Sequence, residues 1–230
     1  MLKIENIALV TFDLDDTLYP ERYYVLGGFK NVASLLAPND GSAADALYDT
    51  MLDMHRDGQR DIFQRILADF CSDPAAERLD ELLNCYRLSN RPLNLFADAN
   101  HALDRFGLAV PHLAILTDGY LLAQQKKVEL LNLQSRVEKI IYTDDYGRDY
   151  WKPSPHGFEL LMNEFQLSPT QCLYIADNEA KDFAGPNRLG WRTVKIIRPD
   201  GVYADAIAEE PLFKPEFTLT TLDDLELVGS

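Results

Sequence analysis

Short runs of apolar residues alternate along the chain with longer segments in which apolar residues recur every three or four positions. The short runs are rich in β-branched side chains, which is typical of strands buried on both faces of a parallel sheet. They cover residues 7–12, 112–116, 139–143, 171–176 and 192–197. The helical spacing covers residues 95–106, 121–133, 154–165 and 180–189. This alternation predicts an α/β fold, in which a Rossmann-like parallel sheet carries helices on both faces.

A different pattern lies between the first and the second predicted strand. From Tyr19 to Pro92 the apolar residues keep the helical spacing, and no convincing strand-like run is present. This predicts a small all-helical cap over residues 19–92, inserted into a discontinuous core of residues 1–18 and 93–230. The tail after Pro199 predicts a loop with one short edge element.

Composition and charge exclude several classes of protein. The 230 residues include 22 Lys and Arg against 37 Asp and Glu, a net charge of −15, and such a field repels the phosphate backbone of nucleic acids. No apolar stretch approaches the roughly 18–20 residues that cross a bilayer. The three cysteines, Cys71, Cys85 and Cys172, form no C-x-x-C pair, and we interpret them as small core residues of a reduced protein. These features predict a soluble cytoplasmic protein that binds neither nucleic acid nor membrane.

Polar residues follow the ends of four predicted strands. Asp13 and Asp15 follow the first strand, Thr117 the second, Lys152 comes after the third and Asp177 after the fourth. Ligands of open parallel sheets bind beyond the carboxyl ends of the strands, so we expect these side chains to form one site. Each residue alone has an ordinary explanation, such as a solvated turn, a helix cap or a surface lysine. Their occurrence at four successive strand ends favours a functional site.

The chemistry of this set is consistent with phosphate transfer. Asp13, Asp15 and Asp177 would repel one another unless a cation lay among them, and hard carboxylate and carbonyl oxygens suit Mg²⁺. Lys152 and Thr117 can hold phosphate oxygens, and a carboxylate is a competent nucleophile toward phosphorus. The four histidines of the chain show no metal-ligand spacing.

The ordered motifs resemble those of the haloacid dehalogenase-like (HAD) hydrolase superfamily, in its phosphatase branch. The position of the helical insert, directly after the first motif, resembles the commonest position of that superfamily's cap. Together the motifs and the insert account for nearly the whole chain. The motifs are Asp13-Leu14-Asp15-Asp16-Thr17, Thr117-Asp118-Gly119, Lys152-Pro153 and Ala176-Asp177-Asn178-Glu179-Ala180-Lys181-Asp182.

The resemblance implies a role for each residue. Asp13 would attack phosphorus and form an aspartyl-phosphate, while Asp15 would protonate the leaving oxygen and then activate the hydrolytic water. Thr117 and Lys152 would bind the phosphate, and Lys152 would also neutralise the nucleophile. Mg²⁺ would be held by Asp13, by the backbone carbonyl of Asp15 and by Asp177.

One further position matches the motifs, and two depart from the usual residues. Asp182 is the second acid of the fourth motif and is expected in the outer shell of the metal. Asp118 stands where asparagine is frequent, which is expected to alter contacts near the bound phosphate. Ala176 stands where glycine is usual.

These inferences predict a Mg²⁺-dependent phosphatase that acts on a small phosphorylated metabolite. A 2-haloacid dehalogenase is a less favoured alternative, because the first motif of such enzymes lacks the second aspartate, here Asp15. A phosphomutase would share all of these residues, and a non-enzymatic binding scaffold remains a further alternative.

Substrate choice is expected to depend on the cap. Arg22, Arg56 and Arg60 are candidates for substrate contacts, and Arg56 and Arg60 would share a helix face if the helix continued across Gly58. Trp151, which precedes the site lysine, is a weaker candidate. The natural substrate and the oligomeric state are left open by the sequence.

Overall fold

The computed structural model describes residues 1–70 and 76–228. The chain forms two compact units. The first comprises Met1–Glu21 and Leu93–Ser230, and the second comprises Arg22–Pro92. The first unit contains the sheets and the second is helical.

The first unit is built on a parallel sheet of six strands. Two additional strands, far apart in sequence, pair in parallel as a separate sheet. In chain order the strands are β1 (Leu2–Glu5), β2 (Leu9–Phe12), β3 (His112–Thr117), β4 (Lys139–Tyr142), β5 (Cys172–Ala176), β6 (Arg192–Ile196), β7 (Phe217–Leu219) and β8 (Leu225–Val228). The larger sheet has the order β4-β3-β2-β5-β6-β7, and β1 pairs with β8.

Eight α-helices are present in the described residues, and those of the first unit cover both faces of the parallel sheet. In chain order they are α1 (Glu21–Leu36), α2 (Gly41–Arg56), α3 (Ile62–Phe70), α4 (Ala76–Arg87), α5 (Ala97–Ala109), α6 (Leu121–Leu130), α7 (His156–Phe165) and α8 (Ala184–Leu189). This arrangement confirms the predicted α/β fold class. None of the described helices is long and apolar enough to cross a membrane.

The centre of the parallel sheet positions the site. All four residues of β2 are buried between β3 and β5, and the three strands run in register, with Thr11 opposite both Ala114 and Tyr174. Phe158 of α7 packs edge-on against Tyr174 at a ring separation of 4.8 Å. Because the central strands are parallel and in register, the residues that follow them lie along one edge of the sheet.

The structure differs from the sequence prediction in two local features. The pairing of β1 with β8 was not predicted, so the tail contributes two strands, β7 and β8, where one was expected. Helix α8 begins at Ala184, whereas the spacing predicted a start at residue 180. The residues before Ala184 form a turn, and the side chain of Asp182 stabilises the backbone of that turn. It accepts a hydrogen bond from the amide of Asn178 at 3.0 Å.

The helical unit has a core of its own, and it corrects one expectation. Its core includes Phe29, Met51 and Ile66, each at most 3% exposed. Helix α2 ends at Arg56, and Gly58 has a φ of +75°, so Arg56 and Arg60 do not share a helix face. A left-handed residue cannot continue a right-handed helix.

The described cysteines are free thiols. Cys172 is buried in β5 and Cys85 is half-buried on α4. Cys71 lies outside the described residues.

Candidate active site

A buried ion cluster lies at the carboxyl edge of the sheet. Asp13 follows β2 directly, and its Oδ1 lies 2.5 Å from the Nζ of Lys152. The same Nζ lies 2.7 Å from Oδ1 of Asp182 and donates to the hydroxyl of Tyr174 at 3.0 Å. Lys152 and Asp182 are 5% and 0% exposed, so this pairing takes place away from solvent. One ammonium therefore links the carboxylates that follow β2 and β5.

Three carboxylates of this cluster crowd one another. Asp13, Asp177 and Asp182 each offer an oxygen, and these oxygens lie within 4.8 Å of one another. Burial, opposed by Lys152 and reinforced by Asp182, raises the pKa of Asp13 to about 6. Burial and the charges of Asp182 and Asp13 raise the pKa of Asp177 well above its usual value. The negative charge of the site thus exceeds what its lysines neutralise.

The lysines are unevenly shared among these acids. Asp182 Oδ1 lies 2.7 Å from Lys152 Nζ and 2.9 Å from that of Lys181. Although burial alone would raise the pKa of Asp182, these two cations lower it. Asp13 and Asp177 are less fully neutralised by the lysines, and a divalent cation would relieve the repulsion between them. Hard oxygen donors of this kind fit Mg²⁺, with Asp182 behind them.

Asp15 lies in the same pocket, but its surroundings differ from those of Asp13. Its carboxylate accepts hydrogen bonds from the hydroxyl of Tyr19 at 2.6 Å, from Nε2 of Gln124 at 3.0 Å and from Nζ of Lys127 at 2.8 Å. Burial alone would raise the pKa of Asp15, but these donors, Lys127 foremost, hold it below the usual value. The Asp15 carboxyl is thus strongly held by neighbours of its own unit.

Lys127 also contacts a second acid, Glu21, whose Oε1 lies 3.3 Å from Nζ. The charge of Asp15, together with burial, raises the pKa of Glu21 to about 7.

Thr117 is placed differently from the other predicted site residues. It ends β3 and is 1% exposed, and its hydroxyl accepts a 2.5 Å hydrogen bond from Nε2 of Gln124. It is absent from the described residues that line the pocket, whereas Asp118 and Gly119 are present. In this structure the hydroxyl therefore faces helix α6.

Asp118 organises the loops beside the cluster. Its Oδ1 accepts hydrogen bonds from the hydroxyl of Thr143 at 2.8 Å and from the backbone amide of Lys152 at 3.2 Å. Its Oδ2 lies 3.4 Å from Nζ of Lys181. The carboxylate of Asp118 therefore connects the β3 end with the segments that carry both lysines of the site.

The cluster opens into a pocket of about 250 Å³ within the first unit. Two aromatic side chains line this pocket. Trp151 was a candidate from the sequence, whereas Tyr203 was not. Tyr203 lies in a loop that is held at Asp16, because the amide of the preceding residue, Val202, donates to Oδ2 of Asp16 at 3.1 Å. The full lining is Asp13, Asp15, Asp16, Glu21, Asp118, Gly119, Trp151, Lys152, Asp177, Asn178, Lys181 and Tyr203.

Sequence reasoning missed several residues in and around the pocket. Gln124 and Lys127 lie three apart on α6 and are 2% and 3% exposed. Their spacing places them on one helix face, but polar residues at that spacing are normally solvated. Lys181 lies inside the fourth motif, and that position was its only available signal.

Comparison with known proteins assigns the family. Residues 7–190 match the family of haloacid dehalogenase-like hydrolases. The chain therefore belongs to the HAD hydrolase family, as the motifs predicted.

Similar proteins include named phosphatases. A glyceraldehyde 3-phosphate phosphatase of Methanopyrus kandleri is 23% identical over 220 residues, which cover 93% of each chain. The pyrophosphatase PpaX of Anoxybacillus flavithermus is 26% identical over 230 residues, covering 96% of this chain and 95% of its own. Among solved structures, the HAD-hydrolase YfnB of Bacillus subtilis, determined with bound magnesium, has a TM-score of 0.67 at 18% identity. That match covers 95% of this chain and 96% of YfnB, and it shows a shared fold.

Proposed function

We propose that this HAD hydrolase is a Mg²⁺-dependent phosphatase that acts on a small phosphorylated metabolite through Asp13. The observation that carries the proposal is the buried Asp13–Lys152–Asp182 cluster, which lies beside Asp177 and opens into a pocket. The similar proteins support the substrate class, since one is named a glyceraldehyde 3-phosphate phosphatase and another a pyrophosphatase.

Asp13 is proposed as the nucleophile. The ammonium of Lys152 at 2.5 Å keeps the buried carboxylate ionised and oriented, and it can also stabilise the phosphate oxygens. One carboxylate oxygen of Asp13 would bond to phosphorus as the bond from phosphorus to the leaving oxygen breaks. Asp182 holds Lys152 from the other side, which fixes the position of the ammonium.

Asp15 is proposed as the acid and base of the two steps. It would give a proton to the leaving oxygen and then take one from the water that hydrolyses the aspartyl-phosphate. Both Asp13 and Asp15 line the pocket, so the two groups open toward the same space.

The proposed Mg²⁺ ligands are Asp13, Asp177 and the backbone carbonyl of Asp15, with Asp182 in the outer shell. A bound Mg²⁺ would supply positive charge that offsets the developing charge on the phosphoryl oxygens. Lys152 would serve the same end from the protein side. Thr117 and Asp118 are proposed beside the phosphate, Asp118 through the loops that it joins and Thr117 through a hydroxyl that would have to leave Gln124.

Hydrolysis of p-nitrophenyl phosphate tests this proposal. We expect turnover that requires Mg²⁺, stops with EDTA and falls by at least about 10³-fold in Asp13→Asn, because the covalent route is then lost. Asp224→Asn, which changes an exposed aspartate of the same unit, is the matched control and should retain full activity. Activity that persists in Asp13→Asn would exclude Asp13 as the nucleophile. Turnover unaffected by EDTA would exclude the metal.

A further inference from the structure

Lys127 is a buried cation placed behind Asp15. Its side chain is 4% exposed, and Nζ donates to both oxygens of the Asp15 carboxylate at 2.8 Å. Asp15 and Glu21 belong to the described residues that line the pocket, and Lys127 does not. The lysine therefore holds Asp15 from the side away from the pocket.

The two other donors complete the arrangement. The Tyr19 hydroxyl donates to Oδ1, and Nε2 of Gln124 donates to Oδ2, so each carboxylate oxygen accepts two hydrogen bonds. Gln124 Nε2 also donates to the Thr117 hydroxyl, so both hydrogens of this amide nitrogen are used. Donors on both oxygens restrict rotation of the carboxylate plane. The orientation of Asp15 is thus set by helix α6 and by the turn that follows Asp15.

The neighbouring lysine is less deeply buried and pairs within its own helix. The side chain of Lys126 is 14% exposed, and it pairs with Glu129 of α6 at 3.0 Å. Burying an ammonium costs free energy unless it is paired and hydrogen-bonded. Lys127 meets that condition through Asp15 and Glu21, two of the acids that line the pocket.

We propose that Lys127 is a positioning residue that holds the Asp15 carboxyl in the orientation needed for proton transfer to the leaving oxygen. For that transfer Asp15 takes up one proton from solvent, and the protonated oxygen gives up a hydrogen bond that it accepts in order to donate to the leaving oxygen. This inference rests on the proposed phosphatase function. It predicts that loss of Lys127 harms the reaction in proportion to the need for that proton. Phosphate esters of alcohols and phenols with a high pKa need protonation of the leaving oxygen. p-Nitrophenyl phosphate needs it less, because p-nitrophenol has a low pKa.

The test compares leaving groups in one set of variants. We measure kcat/KM with Mg²⁺ for aryl phosphates from p-nitrophenyl to phenyl phosphate, in wild type, Lys127→Met, Lys127→Arg and Asp15→Asn. General acid catalysis contributes about 10²–10⁴-fold, so we expect Lys127→Met to lose about 10–100-fold on phenyl phosphate. On p-nitrophenyl phosphate the loss should be less than about threefold. Lys127→Arg should recover most of the loss, because a guanidinium can donate to both carboxylate oxygens.

Two controls separate positioning from general damage. Lys126→Met changes the adjacent lysine and should leave all rates unchanged. If Lys127→Met does not fold, Lys127→Met/Glu21→Gln removes the acid left without its cation and is measured in its place. An equal loss for every leaving group, or no loss in a folded variant, overturns the inference while the wild-type phosphatase stands. A wild type that turns over no ester overturns the proposed function itself, and this inference with it.

Discussion

Replacement of Lys152 by methionine tests the electrostatic basis of the site. The change keeps a long unbranched side chain but removes the ammonium that lies between Asp13 and Asp182. It leaves a buried cluster of carboxylates whose remaining cation is the partly exposed Lys181. The folded state should therefore lose stability through uncompensated negative charge.

The size of this loss depends on pH. Removal of one partner from a buried ion pair costs about 3–5 kcal/mol. The pKa of Asp13 is already about 6 with Lys152 present, and it should rise further without it, so proton uptake relieves part of the repulsion. We therefore expect a loss of about 3 kcal/mol at pH 7.5, the lower end of that range.

The sign of the pH dependence follows from the raised pKa. Between the unfolded pKa of roughly 4 and the folded pKa of Asp13, the folded state binds more protons than the unfolded state, so stability falls as pH rises. Lys152→Met widens this window upward. Its destabilisation should therefore shrink to about 1–2 kcal/mol at pH 5.

Urea unfolding followed by tryptophan fluorescence measures the effect. Both tryptophans, Trp151 and Trp191, belong to the sheet-containing unit, so the signal reports that unit. Lys195→Met is the matched control, because Lys195 is 2% exposed and pairs with Glu179 at 2.9 Å outside the carboxylate cluster. Added Mg²⁺ should restore part of the stability of Lys152→Met and little of that of Lys195→Met.

Two results would refute this reasoning. A loss below about 1 kcal/mol at pH 7.5 would mean that Lys152 does not hold the acids in the folded state. An equal rescue of both variants by Mg²⁺ would show that the ion acts on the protein surface in general.

Two further predictions concern stability away from the pocket. Gly28→Ala should destabilise the helical unit by about 1–3 kcal/mol by circular dichroism, because the new Cβ would overlap the ring of Tyr86. Gly41→Ala, with nothing within 4 Å of its new Cβ, should show no loss. A loss in Gly41→Ala as large as in Gly28→Ala would contradict the steric explanation. Burial alone would raise the pKa of Asp98, but Arg198 and the backbone amides that donate to it lower that pKa. Asp98→Asn should therefore cost about 1–2 kcal/mol at pH 7 in urea unfolding, and this difference should vanish as pH falls below the folded pKa, since the stabilisation exists only while the carboxylate is ionised. A difference that persists at low pH would assign the effect to packing.

The periodicity of the sequence was sufficient to predict the α/β class and the edge of the sheet at which polar residues gather. Runs of apolar residues predict buried parallel strands whatever the details of packing, and the carboxyl ends of such strands lie side by side. Asp13, Asp118 and Asp177 each follow a strand directly, so their common location follows from the order of elements alone. The HAD family membership was likewise recognisable from the ordered motifs, and the family match agrees.

The tertiary structure decided which way these side chains face and what pairs with them. Thr117 ends its strand as expected, yet its hydroxyl meets Gln124, because helix α6 packs its polar pair against that strand end. Lys126 and Lys127 are adjacent lysines of one helix, and nothing in their local sequence separates their roles. In the folded chain Lys126 pairs with Glu129, whereas Lys127 pairs with Asp15. The pairing of β1 with β8 joins opposite ends of the chain. Local spacing records the period of an element, whereas burial and partners depend on contacts between residues distant in sequence, so only the folded chain determines them.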